Sequence, residues 1–198
     1  EKNVFSEILE PKTSLSKILK NKPSCLIFSG GPNSINDIDS PSLNKNILQS
    51  HLPILGICYG LHILTKFYGG IVESSSQGEY GQEMIKVIQN QGFFEGISCN
   101  SKVWMSHGDR VKMVPDGWEI LAQSSNNIIA AMANRNQTRI ATQFHPEVYH
   151  TPEGDAMLDN FLFKIAKCKP NWTPNNFIKD KVQFIKNTVG DKKVLVGV

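Results

Sequence analysis

The chain has 198 residues, 40% of them hydrophobic, and a net charge of +3, enough for one sizeable core and a fragment of a second domain. Its charges are interspersed, which gives no sign of a nucleic-acid partner, and no apolar run reaches membrane-spanning length. The four cysteines, Cys25, Cys58, Cys99 and Cys168, form no Cys-x-x-Cys pair and no paired framework, which argues for a reduced, cytoplasmic protein over a secreted one.

Val4 to Leu9 reads as a short strand, and Leu15, Ile18 and Leu19 share one face of a short helix. Cys25-Leu26-Ile27-Phe28 is a buried strand that runs into Ser29-Gly30-Gly31-Pro32, a turn whose glycines leave backbone N–H groups uncovered. Leu43 to Gln49 reads as a helix. Ile54, Leu55 and Ile57 form the next buried strand, and a helix carrying Leu61, Leu64, Phe67 and Tyr68 follows until Gly69-Gly70 stops it. Strand, helix, strand, helix over residues 23–68 predicts a parallel sheet with helices on both faces.

From Ile71 to Ala133 the pattern turns to short strands, with Met84 to Ile88, Val103 to Met105, Trp118 to Ala122 and Ile128 to Met132 as candidates. His107, in Ser106-His107-Gly108-Asp109, reads as a turn histidine. Ile140 to Phe144 is a further strand that ends at His145-Pro146-Glu147. Thr151-Pro152 has the form of a helix start, Thr as N-cap and Pro at the first helical position, ahead of a stripe of Met157, Leu158, Phe161, Leu162 and Ile165. Polar residues 167–171 read as a boundary. Thr173-Pro174 opens a last helix with Ile178, Val182, Ile185 and Val189 on one face, closed by Gly190. Val194 to Val198 then reads as an apolar strand.

The stretch Gly56-Ile57-Cys58-Tyr59-Gly60 carries the chemistry. A nucleophile flanked by glycine two residues away on each side is an elbow, a tight strand-to-helix turn through which only glycine lets the backbone pass. It sets Cys58 at a helix N-terminus, where the dipole favours a thiolate. His145 stands where a strand gives way to a loop, and Glu147 can turn back onto its imidazole, so nucleophile, base and orienting carboxylate are all present. A structural cysteine and a turn histidine remain the plain alternatives to these readings. The spacing of the five histidines fits no zinc pattern.

Gly56-Ile57-Cys58-Tyr59-Gly60 together with Gln143-Phe144-His145-Pro146-Glu147 resembles the class I glutamine amidotransferases. Ser29-Gly30-Gly31-Pro32, Tyr59 after the nucleophile, Val103 to Asp109 and the tail from Trp172 bring the resemblance closest to the amidotransferase half of GMP synthetases. The resemblance covers nearly the whole chain. It implies an open, mostly parallel α/β sheet with the elbow, and an enzyme that hydrolyses glutamine through a cysteine thioester. The ammonia would serve ATP-dependent amination of XMP to GMP. Carried over residue by residue, it implies Cys58, His145 and Glu147 as catalytic, and Gly31 and Tyr59 as the oxyanion hole. Gly30, His62, Ser106 and His107 would bind glutamine. No cofactor is implied for this domain; ATP and Mg belong to the synthetase part, as does a homodimer.

The chain departs from the family in three places. His62 stands four residues after the nucleophile, where the family has glutamine, and weaker substrate binding is expected. The family's opening strand has no match before Val4. Its phosphate-binding Ser-Gly-Gly-x-Asp-Ser loop would begin just after Val198. The expected layout is therefore an amidotransferase domain over 1–168 without its first strand, and a linker with the start of an ATP pyrophosphatase domain over 169–198. Two other readings stand beside this one: the glutaminase subunit of a different class I enzyme, and an inactive amidotransferase-like module that binds or regulates a partner.

Overall fold

The computed structural model describes residues 2–41 and 43–195, with Ser75, Ser76 and Gln77 described in backbone only. The chain divides into two units, Leu9–Lys167 and the pair of segments Glu1–Ile8 and Cys168–Val198.

The larger unit is built on one seven-stranded sheet. In chain order its strands are β1 (Leu26–Phe28), β2 (Ile54–Ile57), β3 (Ile71–Val87), β4 (Asn100–Met113), β5 (Trp118–Ser124), β6 (Ile129–Asn134) and β7 (Arg139–Thr142). Across the sheet they run β1-β2-β7-β6-β5-β3-β4. The expected parallel arrangement is found in β1, β2 and β7. The remaining pairings are antiparallel, so the sheet is mixed rather than mostly parallel. The reason lies in the connections. Helical crossovers return the chain in the same direction, whereas the turn-linked stretch from Ile71 to Asn134 can only fold back on itself.

Five α-helices are described: α1 (Leu15–Lys20), α2 (Lys45–Leu48), α3 (Tyr59–Phe67), α4 (Gly154–Asp159) and α5 (Pro174–Val189), with a short 3-10 turn at Gly92–Phe94. Helix α4 continues as a π-helical stretch, Asn160–Ile165. Strand β2 is buried throughout. Ile54 faces a core with Leu48 of α2 and Leu61 and Leu64 of α3. Leu55 and Ile57 face a second core with Phe93, Phe94, Phe144, Met157 and Phe161. Period-two alternation along one strand thus supplies both faces, with helices covering each.

The elbow between β2 and α3 is held by close backbone approach. A Cβ on Gly56 would stand 2.7 Å from the Gly60 carbonyl carbon, and one on Gly60 would run into the Phe28 carbonyl oxygen. Glycine to alanine inside a helix ordinarily stabilises by about 0.5–1 kcal/mol. Gly60→Ala is expected to do the opposite, costing roughly 1–3 kcal/mol from overpacking, read as a lowered midpoint in denaturant unfolding.

Several sequence expectations are corrected. Residues 4–9 are irregular rather than a strand. Leu43 to Gln49 shortens to the single turn of α2, begun by Asn44, whose side chain accepts from Asn46 N–H. Strands β3 and β4 are far longer than the short segments expected, because they pair with each other over most of their length. Ser106 and His107 consequently lie within β4 and not in a turn. Thr151 does not cap a helix. Its hydroxyl accepts from Trp104 N–H at 3.0 Å and donates to the His145 carbonyl at 2.7 Å, and α4 begins only at Gly154, after Glu153. Burying those backbone groups beside the site outweighs a cap that α4 does without.

In the smaller unit, Trp172 N–H donates to the Asn3 carbonyl at 2.8 Å, and the Phe5 and Trp172 rings are 6.1 Å apart. Helix α5 starts as expected, with Thr173 accepting from Asn176 N–H and Pro174 in the first turn, and Gly190 ends it at φ 54°. None of its residues is buried. The expected strand at Val194 is irregular over residues 194–195, and Val196 to Val198 lie outside the described residues.

Candidate active site

Cys58 stands between β2 and α3 with φ 52° and ψ −101°. A non-glycine residue in this region is strained, and the structure holds it there from both sides. Its N–H donates to the Thr142 carbonyl at 2.7 Å, which continues the β2–β7 pairing by one step, while its carbonyl accepts from Leu61 and His62 N–H in α3. The sulfur is thereby turned toward the N-terminus of α3 and the end of β7. As a thiol it donates weakly to the Ser106 carbonyl, 3.6 Å away.

His145 follows β7 by three residues. Its backbone N–H donates to the Trp104 carbonyl at 3.0 Å, so β4 positions it as firmly as its own strand does. His145 Nδ1 donates to Glu147 Oε1 at 2.7 Å. That bond fixes the tautomer and turns Nε2 toward the cavity. The His145 side chain is 17% exposed, whereas Glu147 is 43% exposed at the surface behind it. The hydrogen bond with Cys58, followed by that with Glu147, outweighs burial and raises the His145 pKa from 6.5 to about 10. The protonated imidazole thus stands beside the sulfur with a proton available to give.

Gly30 lies against both groups. A Cβ there would stand 2.9 Å from His145 Cε1 and 3.5 Å from Cys58 Cβ, so only glycine leaves the pair undisturbed. Gly31 packs against Tyr59, with a Cβ position 3.8 Å from Tyr59 Cγ. Tyr59 is the first residue of α3, and its N–H has no acceptor within the helix. The loop after β1 and the start of α3 thus meet beside the sulfur, the arrangement that can accept a developing oxyanion.

A cavity of about 510 Å³ opens onto these groups. Cys58, Tyr59, Gly31, His145, His62, Ser106 and His107 all line it. Among the residues singled out by sequence, only Gly30, beside the pair, and Glu147, behind His145, do not contribute wall. Sequence reasoning missed Ser34, Tyr80 and Asp109. Burial tends to raise the Asp109 pKa, but hydrogen bonds from Ser34 at 2.5 Å and Ser74 at 2.8 Å hold it below its ordinary value. Asp109 stands two residues from His107 in a strand and so shares its face, a signal available only once the segment is recognised as a strand.

His107 takes a position different from a simple substrate contact. Its Nδ1 meets the Asp109 carbonyl at 2.9 Å, and its Nε2 meets Glu79 Oε2 at 3.3 Å. Both neighbours are acceptors, so the ring is held between a backbone carbonyl and a carboxylate within the wall. Burial of Glu79 is opposed by hydrogen bonds from His107, Ser124 and Asn126, which together hold its pKa below the ordinary value. Ser124 Oγ and Asn126 Nδ2 donate to Glu79 Oε1 at 2.7 and 2.9 Å.

The model of the glutamine amidotransferase class-I family matches residues 1–165. The chain belongs to the class I glutamine amidotransferases. The amidotransferase is 42% identical to the GMP synthase [glutamine-hydrolyzing] of Brachyspira hyodysenteriae, over 100% of this chain and 38% of that protein. It is 45% identical to the protein of that name from Clostridium acetobutylicum, over 98% of this chain and 38% of the relative. With the one from Aquifex aeolicus it shares 44% identity over 100% of this chain and 39% of the relative. The amidotransferase thus spans less than two fifths of the length of these curated relatives. Among solved structures, a protein from Thermoplasma acidophilum described as a putative GMP synthase component superposes with a TM-score of 0.64. The match covers 90% of this chain and 95% of that one at 23% identity, and shows a shared fold. Among the described residues, no cluster of three or more His, Cys, Asp or Glu side chains offers a metal site, and no helix is long and apolar enough to cross a membrane.

Proposed function

We propose that this domain hydrolyses glutamine to glutamate and ammonia through a thioester on Cys58. The observation that carries the reading is the line Cys58–His145–Glu147, in which Cys58 and His145 line the cavity and the 2.7 Å His145–Glu147 bond lies behind it. The thiolate attacks the carboxamide carbon; a C–S bond forms, and the carbonyl π pair moves onto oxygen. Tyr59 N–H and Gly31 N–H receive that oxyanion. As the intermediate collapses, the C–N bond breaks and His145 gives its proton to the departing nitrogen, releasing ammonia. His145, now neutral, takes a proton from water as the water oxygen attacks the thioester carbon. Expulsion of the sulfur completes glutamate. Gly30 keeps the space at this pair free, while His62, Ser106 and His107 form the wall against which the substrate's remaining atoms lie.

The ammonia, in this proposal, serves ATP-dependent amination of XMP to GMP in a longer protein. Support comes from the relatives named GMP synthase, which match this chain along its length at 42–45% identity. ATP, magnesium and the homodimer belong to the synthetase part that this proposal assigns to residues outside the amidotransferase domain of 1–168. The tail 169–198 is its approach. A cytoplasmic setting, which keeps a thiol reduced, suits this chemistry.

The test is to incubate the intact protein with glutamine and assay both products. One glutamate and one ammonia per glutamine are expected, with a glutamyl adduct on the Cys58 peptide after acid quench. Absence of both products from folded protein would favour the inactive-module reading. Adding XMP and ATP should give glutamine-dependent GMP. Ammonia release without any GMP would favour a glutaminase of another pathway.

A further inference from the structure

A second layer of hydrogen bonds lies beneath the nucleophile. Gln143 follows β7 and is fully buried, and His62, on the first turns of α3, is 3% exposed. His62 Nε2 and Gln143 Oε1 are 3.0 Å apart. The amide nitrogen of Gln143 points the other way and donates toward Cys58 Sγ at 4.0 Å. Gln143 is anchored through its own N–H, which donates to the Ala130 carbonyl at 2.8 Å.

The protons in this line follow from the donor inventory. Burial dominates and lowers the His62 pKa, with the Gln143 bond only partly offsetting it, so the ring is neutral and has one N–H. An amide oxygen can only accept, which places that proton on Nε2. His62 Nδ1 is then an acceptor, in keeping with its lack of a well-formed hydrogen bond, and the Asp109 backbone near the ring has only a minor effect on it. The opposite assignment would turn the amide oxygen toward the lone pairs of the sulfur, whose S–H is directed at the Ser106 carbonyl, and would set two acceptors against each other. The charged or titratable groups that act on His62 across the cavity wall are Asp109 and His107, both on β4, with opposite signs.

We propose that His62 is a positioning residue: through Gln143 it aims an amide N–H at the sulfur of Cys58 and so favours the thiolate. Its partner in the ground state is the second layer rather than the substrate. The inference rests on Cys58 being the nucleophile of the proposed function. It concerns the sulfur itself, so it can be read without glutamine.

The measurement is the rate of alkylation of Cys58 by iodoacetamide against pH, followed on the Cys58 peptide by mass spectrometry in the intact protein. In His62→Leu the rate at pH 7 should fall about tenfold, equivalent to a shift of roughly one unit in the profile. His62→Gln, whose amide can donate to Gln143, should return to within about twofold of the parent. In glutamine turnover, kcat should fall in His62→Leu more than KM rises. An unchanged alkylation profile in folded His62→Leu, with only KM raised, would overturn the proposal in favour of a plain substrate contact. If His62→Leu does not fold by circular dichroism, Gln143→Met removes the same N–H at similar volume. A slowed profile there supports the relay, and an unchanged one overturns it. Failure to turn over glutamine, with the alkylation differences intact, would count against the proposed reaction and not against the relay.

Discussion

Cys58→Ala is expected to abolish glutamine-dependent turnover, by a factor on the order of 10⁴–10⁶, since loss of a covalent nucleophile removes the whole acyl-enzyme route. The fold should survive. Cys58 is 4% exposed, but the elbow is held by its backbone bonds to Thr142, Leu61 and His62, none of which involves the sulfur. If the domain serves a GMP-forming protein as proposed, GMP formation from added ammonia should remain near the parent rate, because ammonia bypasses the thioester. Paired assays with glutamine and with ammonium as nitrogen source make the comparison. A folded variant that loses both activities would break the proposed division of labour.

Glu147→Gln should lower kcat for glutamine by about 10²–10⁴, the range expected when an acid–base histidine loses its orienting partner. The amide keeps the size of the side chain but can present its NH₂ group to His145 Nδ1, which permits the wrong tautomer. The variant also changes stability in a pH-dependent way. The hydrogen bond with Cys58, and then the one His145 donates to Glu147, raise the folded His145 pKa from 6.5 to about 10. The folded state therefore holds this proton more tightly than the unfolded chain. The resulting stabilisation is fully present below about pH 6.5 and is lost as pH rises through about 10. The difference in unfolding midpoint between parent and Glu147→Gln should accordingly be largest near pH 6 and shrink toward pH 10. A constant difference across that range would mean that Glu147 acts on stability through packing alone.

Motifs that are local in sequence were readable because local sterics decide them. The elbow needs glycine at 56 and 60 whatever surrounds it, and their close contacts with Gly60 and Phe28 are those that a strand-turn-helix corner must make. His145-Pro146-Glu147 places an imidazole and a carboxylate within reach of each other over two residues. Thr173-Pro174 signals a helix start for similarly local reasons. Where a local signal competed with a distant partner, the distant partner prevailed. Thr151 has the chemistry of a cap, yet its hydroxyl bridges Trp104 and His145. Ser106-His107-Gly108-Asp109 has the composition of a turn, yet lies in a strand because β3 pairs alongside it.

The amino-acid sequence by itself singled out the proposed nucleophile, base and carboxylate, the two cores on either side of β2, and the family. All of these depend on residue types at spacings of a few positions. Tertiary structure alone decided that the sheet is mixed, that Glu79 pairs with His107, and that His62 reaches the sulfur through Gln143, 81 residues further along the chain. Hydrogen-bond partners of buried polar groups are set by which strands become neighbours. That choice minimises unpaired groups over the whole sheet, and no short window of sequence contains it.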